Sequence, residues 1–115
     1  MLNFGVIGYG YWGPNLVRNL FEVSETQVVA VSDLNPERLK LVKSRYPSVE
    51  TTTDFQQLLN NPKIDAIAIA TPVFTHYDLA MQALQSGKHV MVEKPMTSTS
   101  EQAMRLIDEA ARRNL

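Results

Sequence analysis

Gly8, Gly10 and Gly13 stand in the spacing G-x-G-x-x-G within GVIGYGYWGPN, residues 5–15. With Gly5 they are all but Gly87 of the chain's five glycines. Glycine weakens strand and helix interiors, so such a cluster needs a local cause. This spacing suits a cradle for a diphosphate. The first glycine makes a tight turn, the second lets phosphates approach the backbone, and the third lets the next helix pack close. Free N–H groups and the positive helix end then face the anion. Pro14 falls in the first turn, where its missing N–H costs no helical bond. Gly5 lies outside the fingerprint and reads as a close-packing site. Asp33 follows about 20 residues past Gly13, where a carboxylate can accept hydrogen bonds from a ribose diol. Its charge would repel a 2′-phosphate, which favours NAD over NADP. Leu34 and Arg38 flank it and are taken as cofactor-side residues. Arg38 would partly offset the acid's charge, its plainer reading being a solvated helix cation. The plainer reading of the whole set is a tight turn plus a capping aspartate. The context, a strand before and a helix after, favours the nucleotide.

These residues need elements to hold them. Asn3–Ile7 is a short apolar strand candidate, and Leu16, Val17, Leu20 and Phe21 follow at helical spacing. Gln27–Ser32 is a β-branched strand. Asn35 caps a helix with Pro36 at its first position, Leu39, Val42 and Tyr46 on one face, and Pro47 as its stop. Val49–Thr52 is a weaker strand. Asp54 caps a short helix holding Phe55, Leu58 and Leu59, which Asn61 and Pro62 end. Asp65–Ala70 reads as a strand buried on both faces. Thr75 caps a helix with Tyr77, Ala80, Met81 and Leu84 inward and Gly87 just past its end. His89–Glu93 is the next strand, with His89 structural. Ser98 and Glu101 form a capping box, and Ala103, Met104, Ile107 and Ala111 form the last inner face. Arg112 and Arg113 sit at the negative end of that helix dipole. Regular alternation of this kind implies an α/β fold: a doubly wound parallel sheet of Rossmann type, about five strands with helices on both faces.

Bulk properties narrow the function. The chain has 115 residues, enough for one domain over residues 1–115 with a real core. A net charge of -1 gives no electrostatic case for nucleic acid or an anionic membrane. The absence of cysteine removes disulfides, thiolate metal sites and a cysteine nucleophile, and fits a reducing cytoplasm. MLNFGVIGYG carries no basic leader, so it does not read as a signal peptide. The longest apolar run, Ala66–Ala70, is far short of the ~20 residues that span a bilayer.

Two further stretches fall where the fourth and fifth strands end, the edge at which open parallel sheets bind ligands. They are ATPVFTHYDLA, residues 70–80, and GKHVMVEKP, residues 87–95. With the glycine fingerprint they resemble the N-terminal domains of the Gfo/Idh/MocA family, named for glucose–fructose oxidoreductase, inositol dehydrogenase and rhizopine catabolism. The family string is T-P-N-x-x-H-x-x-x-A-x-x-A-L-x-x-G-K-H-V-x-x-E-K-P. This chain supplies Thr71, Pro72, His76, Ala80, Ala83, Leu84, Gly87, Lys88, His89, Val90, Glu93, Lys94 and Pro95. Val73 stands where the family has asparagine, which puts one polar contact near the cofactor in question. The resemblance covers nearly the whole chain, and its details look most like members acting on sugars or nucleotide-sugars.

The resemblance implies roles. Glu93, Lys94 and Pro95 lie beside the nicotinamide, and Lys94 is the catalytic residue that orients substrate and assists proton transfer. Thr71, Pro72 and His76 line the cofactor groove, while Tyr11 and Trp12 lie by the pyrophosphate and nicotinamide side. A cation near the reacting oxygen would stabilise developing alkoxide. By residue type alone Lys94 is an exposed loop lysine, His76 a first-turn helix residue, and Tyr11 and Trp12 loop packing. Family members continue into a second α/β domain that carries the substrate pocket. The resemblance therefore implies a dinucleotide-binding fragment of a larger two-domain oxidoreductase, lacking the C-terminal domain and binding cofactor without turnover. Its expected partners are a nicotinamide dinucleotide, a sugar-type substrate in the complete enzyme, and a further copy of itself through exposed apolar surface.

Two alternatives use a similar fingerprint. A non-catalytic nucleotide-sensing module would report NAD(H) and have no need of Lys94. An S-adenosylmethionine methyltransferase usually opens its glycine motif with an acid, and Val6 and Ile7 occupy that region here.

Overall fold

The computed structural model describes residues 1–10, 12–92 and 99–115. Its strands are β1 (Leu2–Ile7), β2 (Thr26–Ser32), β3 (Glu50–Thr52), β4 (Ala66–Ile69) and β5 (His89–Val92). Its helices are α1 (Gly13–Glu22), α2 (Pro36–Arg45), α3 (Gln56–Leu59), α4 (His76–Gln85) and α5 (Ser100–Arg113), with a short 3-10 turn over Val73–Thr75. The strands form one 5-stranded sheet in the order β3-β2-β1-β4-β5. Every pairing in it is parallel. The chain winds outward from β1 to β3, then returns to the other side of β1 at β4. That reversal opens a crevice at the carboxyl ends of β1 and β4, the place such sheets bind ligands.

Alternation of side chains along the strands builds two cores. Phe4 and Val6 of β1, with Ala66 and Ala68 of β4, pack towards Val17 and Leu20 of α1 and Leu39 and Val42 of α2. Ile7, Ile67 and Ile69 point the other way, against Ala80, Ala83 and Leu84 of α4 and Leu106 of α5. Small residues on one side of β4 and large ones on the other set how close each helix layer lies. Both faces of the sheet are thus covered, as its unbroken apolar strands require.

Register slips once. Phe4 pairs with Val28 but Gly5 pairs with Ala30, so Val29 is an extra residue in β2. The bulge explains why Val28 and Val31, three apart, share a core. A Cβ on Gly5 would lie 2.9 Å from Ile64 Cδ1 and 3.0 Å from Leu58 Cδ2. Its expected close-packing role is therefore met by α3 and the turn after it.

Most end signals hold. Asn35 Oδ1 accepts the Glu37 N–H at 3.0 Å, with Pro36 opening α2. Asp54 Oδ1 accepts the Gln56 N–H at 3.0 Å and so starts α3. Gly87, past the end of α4, takes φ +81°. The sequence-based strand limits shift by one residue at β1, β2, β3 and β4, as fraying ends commonly do.

Three expectations change. The cap of α5 is Thr99, whose hydroxyl accepts the Gln102 N–H at 3.1 Å; Ser98 lies outside the described residues. Thr75 does not cap α4 with its side chain. Its hydroxyl instead donates to Pro72 O at 2.6 Å and meets Thr71 Oγ1 at 2.6 Å, closing the 3-10 turn. The inner face of α5 is rotated from the expected one. Leu106 and Glu109 are buried, whereas Met104 and Ile107 are 64% and 56% exposed. Leu106 packs into the core against α4, and Glu109, on the same side, has its carboxylate held by Arg112 and Arg113.

Candidate cofactor site

Three glycines meet three different demands at the end of β1. Gly8 has φ +100°, which side chains strongly disfavour, and its N–H donates to Ser32 O at 2.8 Å. A Cβ there would lie 2.9 Å from Thr71 Cγ2 and 3.0 Å from the Ala70 backbone, so this turn is pressed against the end of β4. A Cβ on Gly13 would lie 2.4 Å from Gly8 O, a backbone atom that cannot yield. That contact draws the start of α1 against the turn. Gly10 differs. The three atoms nearest its added Cβ all belong to the Arg38 guanidinium, with Nη1 at 3.1 Å, so a side chain here presses on a half-exposed side chain and not on backbone as at Gly13. The position suits a phosphate approaching the backbone.

Trp12 holds the N-cap of α1, followed by Gly13 and Pro14. Indole carries a donor and no acceptor, so the first-turn N–H groups are not capped by that side chain. Those groups and the dipole make the helix start receptive to an anion.

Asp33, at the end of β2, is a strut as well as an acid. Its Oδ2 accepts the Tyr9 N–H at 2.7 Å and its Oδ1 accepts the Asn35 N–H at 2.8 Å. The glycine loop is thereby tied to the turn that opens α2. The side chain is 6% exposed, and Arg38 Nη1 stands 3.6 Å from Oδ2. Leu34, next to it, is 86% exposed. Tyr9 turns its ring into the core beneath. Burial, with Tyr46 nearby, holds its phenol above the ordinary value.

On the other side of the crevice, Thr71, Pro72 and His76 form the β4–α4 turn. His76 is buried, and its Nε2 lies 2.7 Å from Thr71 O. With the Thr71–Thr75 contact this makes a rigid corner. His76 thus ties the first turn of α4 to the end of β4. Phe74 is exposed on the same corner.

Gly8, Gly10, Gly13, Asp33, Arg38 and Thr71 are therefore brought together at the carboxyl ends of β1, β2 and β4. Trp12 stands at the start of α1 beside them. Tyr11, Glu93, Lys94 and Pro95 lie outside the described residues. β5 runs to Val92, paired with Ile69, so the triplet follows directly in sequence from the neighbouring strand. Two shallow hollows, about 310 and 160 Å³, lie elsewhere, along α5.

A parallel sheet that reverses direction between β1 and β4, with a glycine turn feeding α1 and an acid ending β2, defines a Rossmann-type dinucleotide-binding domain. Residues 2–115 match the family described as "Oxidoreductase family, NAD-binding Rossmann fold". The chain belongs to this family, Gfo/Idh/MocA. It is 33% identical over 101 residues to scyllo-inositol 2-dehydrogenase (NADP(+)) of Bacillus subtilis, covering 88% of this chain and 28% of that protein. It is also 33% identical over 115 residues to the dTDP-3,4-didehydro-2,6-dideoxy-alpha-D-glucose 3-reductase of Saccharopolyspora spinosa, covering 99% of this chain and 34% of that one. A 3-ketoreductase from Actinomadura kijaniata, solved with NADP and TDP-benzene, superposes with a TM-score of 0.93 at 30% identity, over 99% of this chain and 35% of that one. The chain thus spans about a third of the length of these relatives.

Proposed function

We propose that residues 1–115 are the cofactor domain of a two-domain dehydrogenase acting on a sugar, polyol or nucleotide-sugar. A bound nicotinamide dinucleotide supplies a hydride acceptor or donor at C4, and the substrate carbon passes between hydroxyl and ketone. The observation that carries this reading is the division of labour among the glycines. Gly8 and Gly13 are required by the fold, whereas Gly10 leaves open the one place where phosphates approach.

The chain's own residues then have distinct roles. The glycine loop and the start of α1 hold the diphosphate, while Asp33, Leu34 and Arg38 receive the adenosine end. NAD is the cofactor that the acid at Asp33 favours. Thr71, Pro72 and the His76 corner form the opposite wall, and Tyr11 and Trp12 serve the pyrophosphate and nicotinamide side. Lys94, flanked by Glu93 and Pro95, orients the substrate oxygen and moves its proton. Relatives whose names include inositol and dTDP-sugar substrates support the substrate class. Structural neighbours solved with NADP and with NAD support a nicotinamide dinucleotide of either kind.

The test is Gly10→Val. A branched side chain there fills the approach to the backbone without disturbing the turn. Cofactor binding, followed by NADH fluorescence, should be lost while circular dichroism is unchanged. Unaltered affinity in the folded variant would show that the ligand does not use this loop.

A further inference from the structure

We propose that α5 docks antiparallel on α5 of a second copy of this chain. The proposal stands independently of the cofactor reading. The helix is apolar on two sides. Leu106 packs into the core, whereas Met104, Ile107 and Ala111 form an exposed stripe on the other side, at spacing i, i+3 and i+7. An apolar stripe of this kind left in water marks a contact surface.

The charges beside the stripe say what covers it. Glu101, Arg105, Asp108 and Arg112 follow at i, i+4, i+7 and i+11, so they form one row along the helix. All four are exposed, and their signs alternate. Read backwards, the row carries the opposite sign at every position. A twofold contact between antiparallel helices sets a surface row against the same row of its partner. A second copy therefore brings its Arg112 to Glu101 and its Asp108 to Arg105, and the symmetry repeats both pairs. A parallel alignment in register would set like charges together. In the antiparallel arrangement Ile107 lies near the twofold axis. Met104 reaches towards Ala111 of the second copy, whose small side chain leaves it room.

Partners within the chain compete weakly with this pairing. Arg105 meets Glu101 at 2.6 Å across one exposed turn, and surface pairs of that kind hold loosely. Arg112 shares Glu109 with Arg113, which keeps hold of that carboxylate when Arg112 turns away. The hollow of about 310 Å³, where Tyr77 and Met81 of α4 face Arg105, Asp108 and Arg112, widens the surface beside the row. A 14-residue helix is about 21 Å long, so the contact falls short of the roughly 800 Å² per partner of a stable interface. The dimer is accordingly weak and in exchange with monomer.

Sedimentation velocity of the unaltered chain from about 10 µM to 1 mM should show a monomer–dimer equilibrium with a dissociation constant on the order of 100 µM. Arg105→Glu with Arg112→Glu makes the row wholly acidic, and Glu101→Lys with Asp108→Lys makes it wholly basic. Each double variant should be monomeric by itself, and an equimolar mixture of the two should dimerise. Ile107→Lys, in the stripe and outside the ion pairs, should weaken the dimer by about tenfold or more. Circular dichroism checks that each variant folds. An unaltered chain that stays monomeric at about 1 mM overturns the proposal. A dimer that persists in either double variant alone or in Ile107→Lys also overturns it, because the contact then lies elsewhere. A mixture that stays monomeric overturns the antiparallel pairing. If a double variant fails to fold, Ile107→Lys decides: loss of the dimer supports the docking of α5 on α5, and an unchanged dimer overturns it.

Discussion

Single residues in this domain are placed by their partners as much as by their type. Glu109 is the sharpest case. It is largely covered in the last helix, and Arg112 and Arg113, one turn on, pair with its carboxylate. The Arg113 contact, with Arg112 beside it, holds this carboxyl below its ordinary value of 4.5. A carboxyl depressed in the folded state contributes stability above its unfolded pKa and loses it as pH falls through the folded one. Glu109→Gln should therefore lower stability at neutral pH and flatten the acid limb of the stability curve. Urea melts of both proteins from neutral pH to pH values below 4.5 would show this. An unchanged acid limb would mean that the arginine clasp contributes nothing. Asp33 teaches a related lesson. Its spacing pointed to a ribose contact, and its geometry adds a structural role, that of joining the glycine loop to α2.

At the scale of elements, the ends of the sheet are secured by different means. The carboxyl ends keep the crevice; the amino ends are closed by a lysine. Lys88, just before β5, is buried and donates from Nζ to Asn61 O at 2.7 Å and Ile64 O at 2.6 Å. It pins the turn after α3 to the start of β5. Burial holds its ammonium below the ordinary 10.5, partly countered by Asp65. Between that lowered value and 10.5 the unfolded chain binds more protons than the folded one, so this group's contribution makes stability rise with pH there. Lys88→Met leaves two buried carbonyls without their donor and should cost about 1–3 kcal/mol in thermal or urea unfolding. It should leave cofactor affinity unchanged, because the crevice is at the opposite end of the strands. A stable Lys88→Met protein would show that water replaces the ammonium, and a loss of cofactor affinity without destabilisation would contradict the structural role.

For the molecule as a whole, the proposed activity requires two reactants held together. Hydride transfer needs reacting atoms about 3–3.5 Å apart with aligned orbitals, and we expect a cofactor-binding domain on its own not to impose that on a substrate. The chain of 115 residues should bind NADH and show no turnover on a panel of polyols, sugars and nucleotide-sugars. A continuous assay of nicotinamide absorbance checks this. Robust turnover that disappears in Lys94→Ala would show that this domain builds a complete site by itself.

Local chemistry made much of this protein legible. The alternation of strands and helices, the cap at Asn35, the turn at Gly87 and the glycine fingerprint depend on backbone preferences and spacings within a few residues, which sequence carries directly. The family string from Thr71 to Pro95 implied a groove wall after β4, where Thr71 and His76 do meet. Tertiary structure decided what depends on residues distant in the chain. The pairing of β1 with β4 and the packing of Gly8 on Thr71 and Ala70 bring the two strand ends together at the crevice. Only the bulge at Val29 brings Val28 and Val31 to one core. The inward turn of Glu109 and the corner built by Thr71, Thr75 and His76 belong to the same class. Each overrides a local pattern because a buried polar group goes where its partner is, and that partner is chosen by the fold rather than by the residue's neighbours in sequence.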